Sequence, residues 1–134
     1  MTRAEAKNIL LKEFINNYSE TPYSLMNNDN FEKPDNSPWV RFFVKNNDVE
    51  QVSYGPKPHR RFGRMGSVKY QVFLPINTGT FVGDNICEQI NDIFEGERFG
   101  DIICKEGTWS ETGINKDGWF QFNGRVYYEF DQLK

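Results

Sequence analysis

Long apolar runs are missing from this sequence. The longest uninterrupted ones cover only a few residues, far short of the roughly 20 that a membrane helix needs, so no membrane span is expected. A basic excess is missing too. Sixteen Lys and Arg stand against nineteen Asp and Glu, a net charge of −3 with an isoelectric point near 5.2. That balance argues against a general nucleic-acid coat, which needs positive charge to displace counterions. Cysteine and histidine are scarce, with two of the first and one of the second. Neither Cys87 nor Cys104 belongs to a metal-ligand spacing, and two reduced, buried thiols are expected. The opening Met1-Thr2-Arg3-Ala4-Glu5 lacks the charged-then-apolar order of a secretory signal, so the expected compartment is the cytoplasm in which the chain is made.

What the chain does have is rings. Aromatics make up 16 % of its 134 residues, with twelve Phe and six Tyr, although the mean hydropathy is only −0.71. Apolar surface is therefore concentrated in side chains that each bury roughly 150–250 Å², a composition incompatible with intrinsic disorder. The length fits one domain, residues 1–134, with no linker or internal repeat.

The pattern predicts an amphipathic helix over residues 2–18. Thr2 and Glu5 make a capping box, and Ala6, Leu10, Phe14 and Tyr18 form a stripe that Leu11 and Ile15 widen. A short edge strand is expected near Tyr23–Asn27, then a strand over Pro38–Lys45 with rings on both faces, read as central and covered on both sides. Asn46-Asn47-Asp48 reads as a turn, with Val49–Tyr54 returning as a hairpin. Gly55–Gly66 reads as a loop, and Ser67–Leu74 alternates as a strand. Asn77-Thr78-Gly79-Thr80 offers a cap for a helix over Phe81–Phe94. Asp101–Lys105 and Thr108–Glu111 form strand pieces around Gly107, two strands or one bulged strand, and Thr112–Gly118 is a polar loop. Trp119–Phe122 and Arg125–Phe130 are extended, with Asn123-Gly124 either a hairpin turn or a bulge. The fold class is α+β: a mostly antiparallel sheet flanked by two helices, in a single domain.

Catalytic chemistry is hard to find. His59 sits between Pro58 and Arg60 as an exposed loop residue, and no phosphate-cradling, zinc or nucleophile-elbow motif occurs. Asp84, Glu88 and Asp92 recur at i, i+4 and i+8 on the second helix. They are read as a solvated face rather than a metal site. An enzyme is not expected, and no metal or cofactor is implied. The sharpest charge feature is Lys57, His59, Arg60, Arg61, Phe62 and Arg64. These residues suit gripping phosphates and stacking a base, or docking on an acidic protein surface, or simply a hydrated loop. Trp109, Trp119 and Phe120 stand in turn-rich segments, either as anchors for a subunit interface or as core rings.

Several segments then recur in a telling order. Asn28-x-x-Phe31-x-x-Pro34 precedes Pro38-Trp39-Val40-Arg41. Arg60-Arg61-x-Gly63 precedes a strand ending in Leu74-Pro75. Thr78-Gly79 opens a helix finishing at Ile93-Phe94, and an aromatic strand closes the chain. This order resembles the tail terminator (tail completion) proteins of bacteriophages with long, non-contractile tails. The resemblance implies a structural virion protein, assembled in the host cytoplasm, that caps the tail tube as a six-fold ring and offers a docking surface to the head-side connector. Its implied partners are further copies of itself, the tail tube protein and the connector. DNA would pass through the lumen without sequence-specific binding, with the Arg60–Arg64 loop facing the lumen or the adjoining tube ring. Two alternatives remain: a tail-to-head joining or other neck or tail protein on the same scaffold, and a small nucleic-acid-binding module using Arg60, Arg61, Phe62 and Arg64.

Overall fold

The computed structural model of the chain describes residues 1–25 and 31–134. Its elements are α1 (Arg3–Asn17), β1 (Tyr23–Leu25), β2 (Trp39–Gln51), β3 (Arg61–Leu74), α2 (Thr80–Phe94), β4 (Arg98–Phe99), β5 (Ile102–Ile114) and β6 (Phe120–Leu133). The strands form one sheet in the order β1-β2-β3-β6-β5-β4. Every neighbouring pair is antiparallel except β1 with β2. The fold is the expected α+β arrangement.

Both helices lie on one face of the sheet. On α1, Ala6, Leu10 and Phe14 are buried as their spacing predicts, as is Tyr18 at its C-cap, whereas Ile15 stays exposed. The capping box forms: the Glu5 N–H donates to Thr2 Oγ1 at 3.1 Å and the Thr2 N–H to Glu5 Oε1 at 3.2 Å. Helix α2 buries Ile86, Cys87, Ile90 and Phe94. Its expected side-chain cap is absent. Gly79 occupies the cap position, and the Thr78 hydroxyl instead donates to the Pro75 carbonyl at 2.7 Å. The two helices meet Val40, Phe42 and Val44 of β2, Val68, Tyr70 and Val72 of β3, and Phe122, Val126 and Tyr128 of β6 in one core.

Among the described residues the opposite face carries no helix, and they cover only one end of it, where Trp39, Phe73 and Trp119 pack with Phe31. Strand β2 is thus covered over Val40, Phe42 and Val44 on one side and at one end on the other, which corrects the expectation of two covered faces. Trp39 stacks on Phe73 at 4.2 Å and meets Trp119 edge-on at 6.2 Å.

The largest correction concerns β2 and β3. Asn46-Asn47-Asp48 is not a hairpin turn. Strand β2 runs through it with a register shift between Asn46 and Asp48. Val49–Gln51 therefore continues outward rather than returning, and the return is made by β3, starting at Arg61 and pairing Phe62 with Gln51. A bulge absorbs the extra residue without ending the ladder, so polar turn formers yield to long-range pairing. The expected loop Gly55–Gly66 shrinks accordingly. Residues 52–60 connect the strands and residues 61–66 are strand.

Strand β6 is likewise continuous. Asn123 and Gly124 pair in regular register with Gln71 and Tyr70 on one side and with Ser110 and Trp109 on the other, so Asn123-Gly124 is neither a turn nor a bulge. The irregularities lie on β5, between Cys104 and Gly107 and between Glu111 and Gly113, which makes β5 one bulged strand. The polar loop contracts to residues 115–119. The expected edge strand appears as Tyr23–Leu25; its last two residues, and the Asn28 of the family-like motif, lie outside the described residues.

Gly124 has a packing reason. A Cβ there would overlap the Tyr70 ring, and one on Gly83 would overlap Phe122, so α2 reaches the sheet only because residue 83 lacks a side chain. Gly124→Ala is expected to cost about 1–3 kcal/mol by overpacking, a fall in melting temperature of roughly 3–10 °C for a domain of this size, measured by thermal circular dichroism.

Both thiols are buried and unpaired. Burial, with a smaller push from Asp84, raises the Cys87 thiol from 9.0 to about 12; burial, with Glu97 adding, does the same for Cys104. Burial also raises the Tyr128 phenol from 10.0 to about 12. The fold favours the neutral forms. Their contribution is therefore complete below the unfolded values and lost as pH rises through about 12. The melting temperature should accordingly fall between pH 9 and 11, and a thiol reagent at pH 8 should label neither cysteine until denaturant is added. Fast labelling of the native chain would contradict this burial.

Candidate assembly surfaces

The basic cluster expected around residues 57–64 is split by the fold. Lys57 and His59 lie exposed in the connection between β2 and β3. Arg60 is half-buried, and its Nε donates to the Lys134 carbonyl at 2.9 Å. Arg61 points to the opposite face from Arg64, because strand neighbours alternate; its Nε lies 3.7 Å from Asp131 Oδ2. Arg64 is only 5 % exposed. Its Nε donates to Gln132 Oε1 at 3.0 Å, and desolvation followed by the Arg3 guanidinium holds its pKa below the ordinary value. Between them lies Phe62, half-buried, with the Arg64 guanidinium 5.3 Å, the Arg60 guanidinium 5.8 Å and the Lys134 ammonium 5.9 Å from its ring centre. The cluster ties the end of β3 to the end of β6. Lys57 and His59 alone remain wholly at the tip.

The three expected interface rings go to different places. Trp119 is buried in the aromatic cluster, its backbone N–H donating to Asn115 Oδ1 at 3.0 Å. Trp109 is half-buried under α2, and its indole Nε1 donates to Asp84 Oδ1 at 3.0 Å. Phe120 is half-buried, edge-on to Phe122 at 5.5 Å. Beside it, at the α2 end of the sheet, Ile76, Phe81 and Ile114 are exposed, Phe81 to 77 %. A shallow hollow of about 280 Å³, lined by Leu74, Pro75, Ile114 and Phe120 among others, lies in this region. At the far end, Val49, Val52, Tyr54 and Leu133 are exposed, Tyr54 to 84 %. None of these apolar surfaces stands out in the sequence, because each is assembled from distant segments.

A third surface carries no mark in the sequence. On the helix-free face, Phe43, Lys69 and Arg125 lie directly across from one another on β2, β3 and β6. They line a groove of about 410 Å³ with Gln71, Asn123 and Ser110. Arg41 lies on the same face, 5.5 Å from the centres of both Trp39 and Phe73, and donates to Gln71 Oε1 at 3.3 Å. Alternation along β2, β3 and β6 was legible in the sequence. The strand order that gathers these cations was not.

Among the described residues, no helix is long and apolar enough to cross a membrane, and no group of three or more His, Cys, Asp or Glu side chains is placed to hold a metal ion. Asp84, Glu88 and Asp92 are all exposed on α2.

Comparison with known proteins gives these surfaces their setting. Eighteen solved chains match this one. One of them superposes with a TM-score of 0.63 over 92 % of this chain and 94 % of its own, at 14 % identity, a likeness of fold alone. No curated protein matches. A family model described as phage tail terminator protein matches residues 8–126. The class is therefore that of phage tail structural proteins, components of the virion. Within it, the chain belongs to the phage tail terminator family.

The split of the basic cluster has a measurable consequence. Arg64→Ala removes packing on Phe62 and the bond to Gln132, and is expected to cost roughly 1–3 kcal/mol. Lys57→Ala is expected to leave the melting temperature unchanged. Equal effects of the two substitutions in denaturant titrations would contradict the split.

Proposed function

We propose that this chain caps the phage tail tube as a ring of copies and presents the surface on which the head-side connector docks. The observation that carries the reading is the family match over residues 8–126. The distribution of exposed apolar groups supports it. Ile76, Phe81 and Ile114 at one end of the strands and Val49, Val52, Tyr54 and Leu133 at the other give one subunit two unlike surfaces. Heterologous contacts between unlike surfaces close into rings when the rotation permits, and exposed apolar patches are characteristic of protein–protein contact.

In this reading the β2–β3 connection, with Lys57, His59 and Arg60, reaches the adjoining ring or the lumen. The nucleic-acid-module reading fares less well. A stacking platform needs an open ring face, and Phe62 is half-buried with cations on its flanks.

The test uses tail tubes assembled without this protein. Added chain should appear as a ring at one tube end in electron micrographs, and capped tails should then join connector-bearing heads. Binding to heads but not to bare tubes would replace the terminator role with a joining role. Replacing residues 53–59 by a short turn should leave the subunit folded while reducing head joining or tube seating.

A further inference from the structure

We infer that the helix-free face of the sheet receives the acidic side of α2 from a second copy of this chain, so that copies join head to tail. The inference rests on the ring reading and adds a charged contact to the apolar ones at the strand ends.

The first observation is an uncompensated basic field. Arg41 and Lys45 project from β2, Lys69 from β3 and Arg125 from β6, all on the face away from the helices. Lys69 and Arg125 are direct cross-strand partners, and like charges placed so are destabilising in the isolated sheet. No carboxylate lines the groove between them, and among the described residues Arg41, Lys69 and Arg125 have no ion-pair partner. Nearer the far end of the same face the pattern is different. Arg61 pairs with Asp131 and Lys105 with Glu129 at 3.2 Å, so that region is neutralised within the chain. Two of the unpaired cations are already held in place, Arg41 over Trp39 and Phe73 and Arg125 at 5.1 Å from the Tyr127 ring centre. Less side-chain freedom is then lost on docking.

The second observation is the complement. Helix α2 carries Asp84, Glu88 and Asp92 and no Lys or Arg. All three are exposed, and their i, i+4, i+8 spacing sets them in one stripe of like charge, again unfavourable in an isolated subunit. At 1.5 Å per residue the stripe is about 12 Å long. The basic field measures about 10 Å across the strands from β2 to β6 and about 13 Å along β2 from Arg41 to Lys45. Sizes and signs match. A single subunit cannot join the two, because α2 packs its apolar side on one face of the sheet and the cations leave from the other. Contact between unlike surfaces of two copies is the heterologous kind that ring closure requires, and charge complementarity sets its register and speeds encounter. The chain's overall −3 works against a polyanion as the occupant.

The test uses two full-length variants, K69E/R125E and E88K/D92K. Asp84 is spared because it holds Trp109. All four positions lie outside the core, and unchanged circular dichroism melts establish that the variants fold. Sedimentation and tube capping are measured for each variant alone and for an equimolar mixture. Each alone should lose at least tenfold in self-association and in capping. The mixture should recover both, because each acidic helix meets a basic sheet and each basic helix an acidic sheet when the two alternate around a ring. Wild-type association should weaken as salt rises. Folded variants that assemble like the wild type, or a mixture that fails to recover, would overturn the inference while leaving the capping role intact. So would retained assembly combined with loss of salt-sensitive duplex DNA binding by K69E/R125E, which would assign the face to a polyanion. A wild-type chain that neither associates nor caps would overturn the terminator reading and the inference together.

Discussion

The arrangement depends on one stack of rings. Phe14 of α1 lies 4.0 Å from Phe42 of β2, nearly parallel at 5°, and Phe42 stacks on Phe94 of α2 at 5.7 Å and 18°. All three are fully buried. Tyr18 and Tyr23 extend the group beyond Phe14, at 5.0 Å each, and Phe99 extends it beyond Phe94 at 6.1 Å. Elements separated by most of the chain are thereby fixed to one strand. Large rings give this core much of its buried area from few residues, which reconciles a polar composition with a stable domain. Since one stack holds both helices, both must lie on the same face of the sheet.

That constraint decides the rest of the surface. A sheet with its helices on one side leaves the other side to water or to a partner. Short helices beside long strands also leave the strand ends uncovered. Strands β2, β3 and β6 hold 13, 14 and 14 residues, about 45 Å of extended chain each, whereas each 15-residue helix covers about 22 Å. The surplus and the connection beyond it carry the exposed Val49, Val52 and Tyr54 and the cation-flanked Phe62. The helix-bound half of the molecule holds the fold, and the uncovered strand surface is where a tail structural protein has room for contacts.

The helix stripes and capping box were legible because helix formation is local: Ala6, Leu10, Phe14 and Tyr18 declare a face, and Thr2 with Glu5 declares a start. Strand alternation at Ser67–Leu74 was legible for the same reason. What escaped was set by partners far away in sequence. Asn46-Asn47-Asp48 has every local mark of a turn, yet β3 offers pairing on both sides of it and the chain bulges instead. Gly124 looks like half of a turn dipeptide, and its true cause is the Tyr70 ring on the neighbouring strand. The basic run 57–64 looked like one patch because a sequence lists neighbours. In a strand, neighbours face opposite ways, and Asp131, Gln132 and Lys134 of β6 and its end engage Arg61, Arg64 and Arg60 in turn. The acidic stripe of α2 was visible as spacing, but its counterpart spans three strands and exists only after folding.

Folding alone does not explain the charge pattern that results. Alternating strands require only that the outward face be polar, and interspersed signs would meet that requirement at lower electrostatic cost. The chain uses that solution on the same face, where Arg61 meets Asp131 and Lys105 meets Glu129. A few residues away it does the opposite, setting Lys69 beside Arg125 with no carboxylate in their groove, while α2 carries acids alone. Each array is small enough for water to tolerate in a free subunit, since exposed charges are well screened. Their segregation to opposite sides of one molecule is a property that matters only when a second molecule approaches.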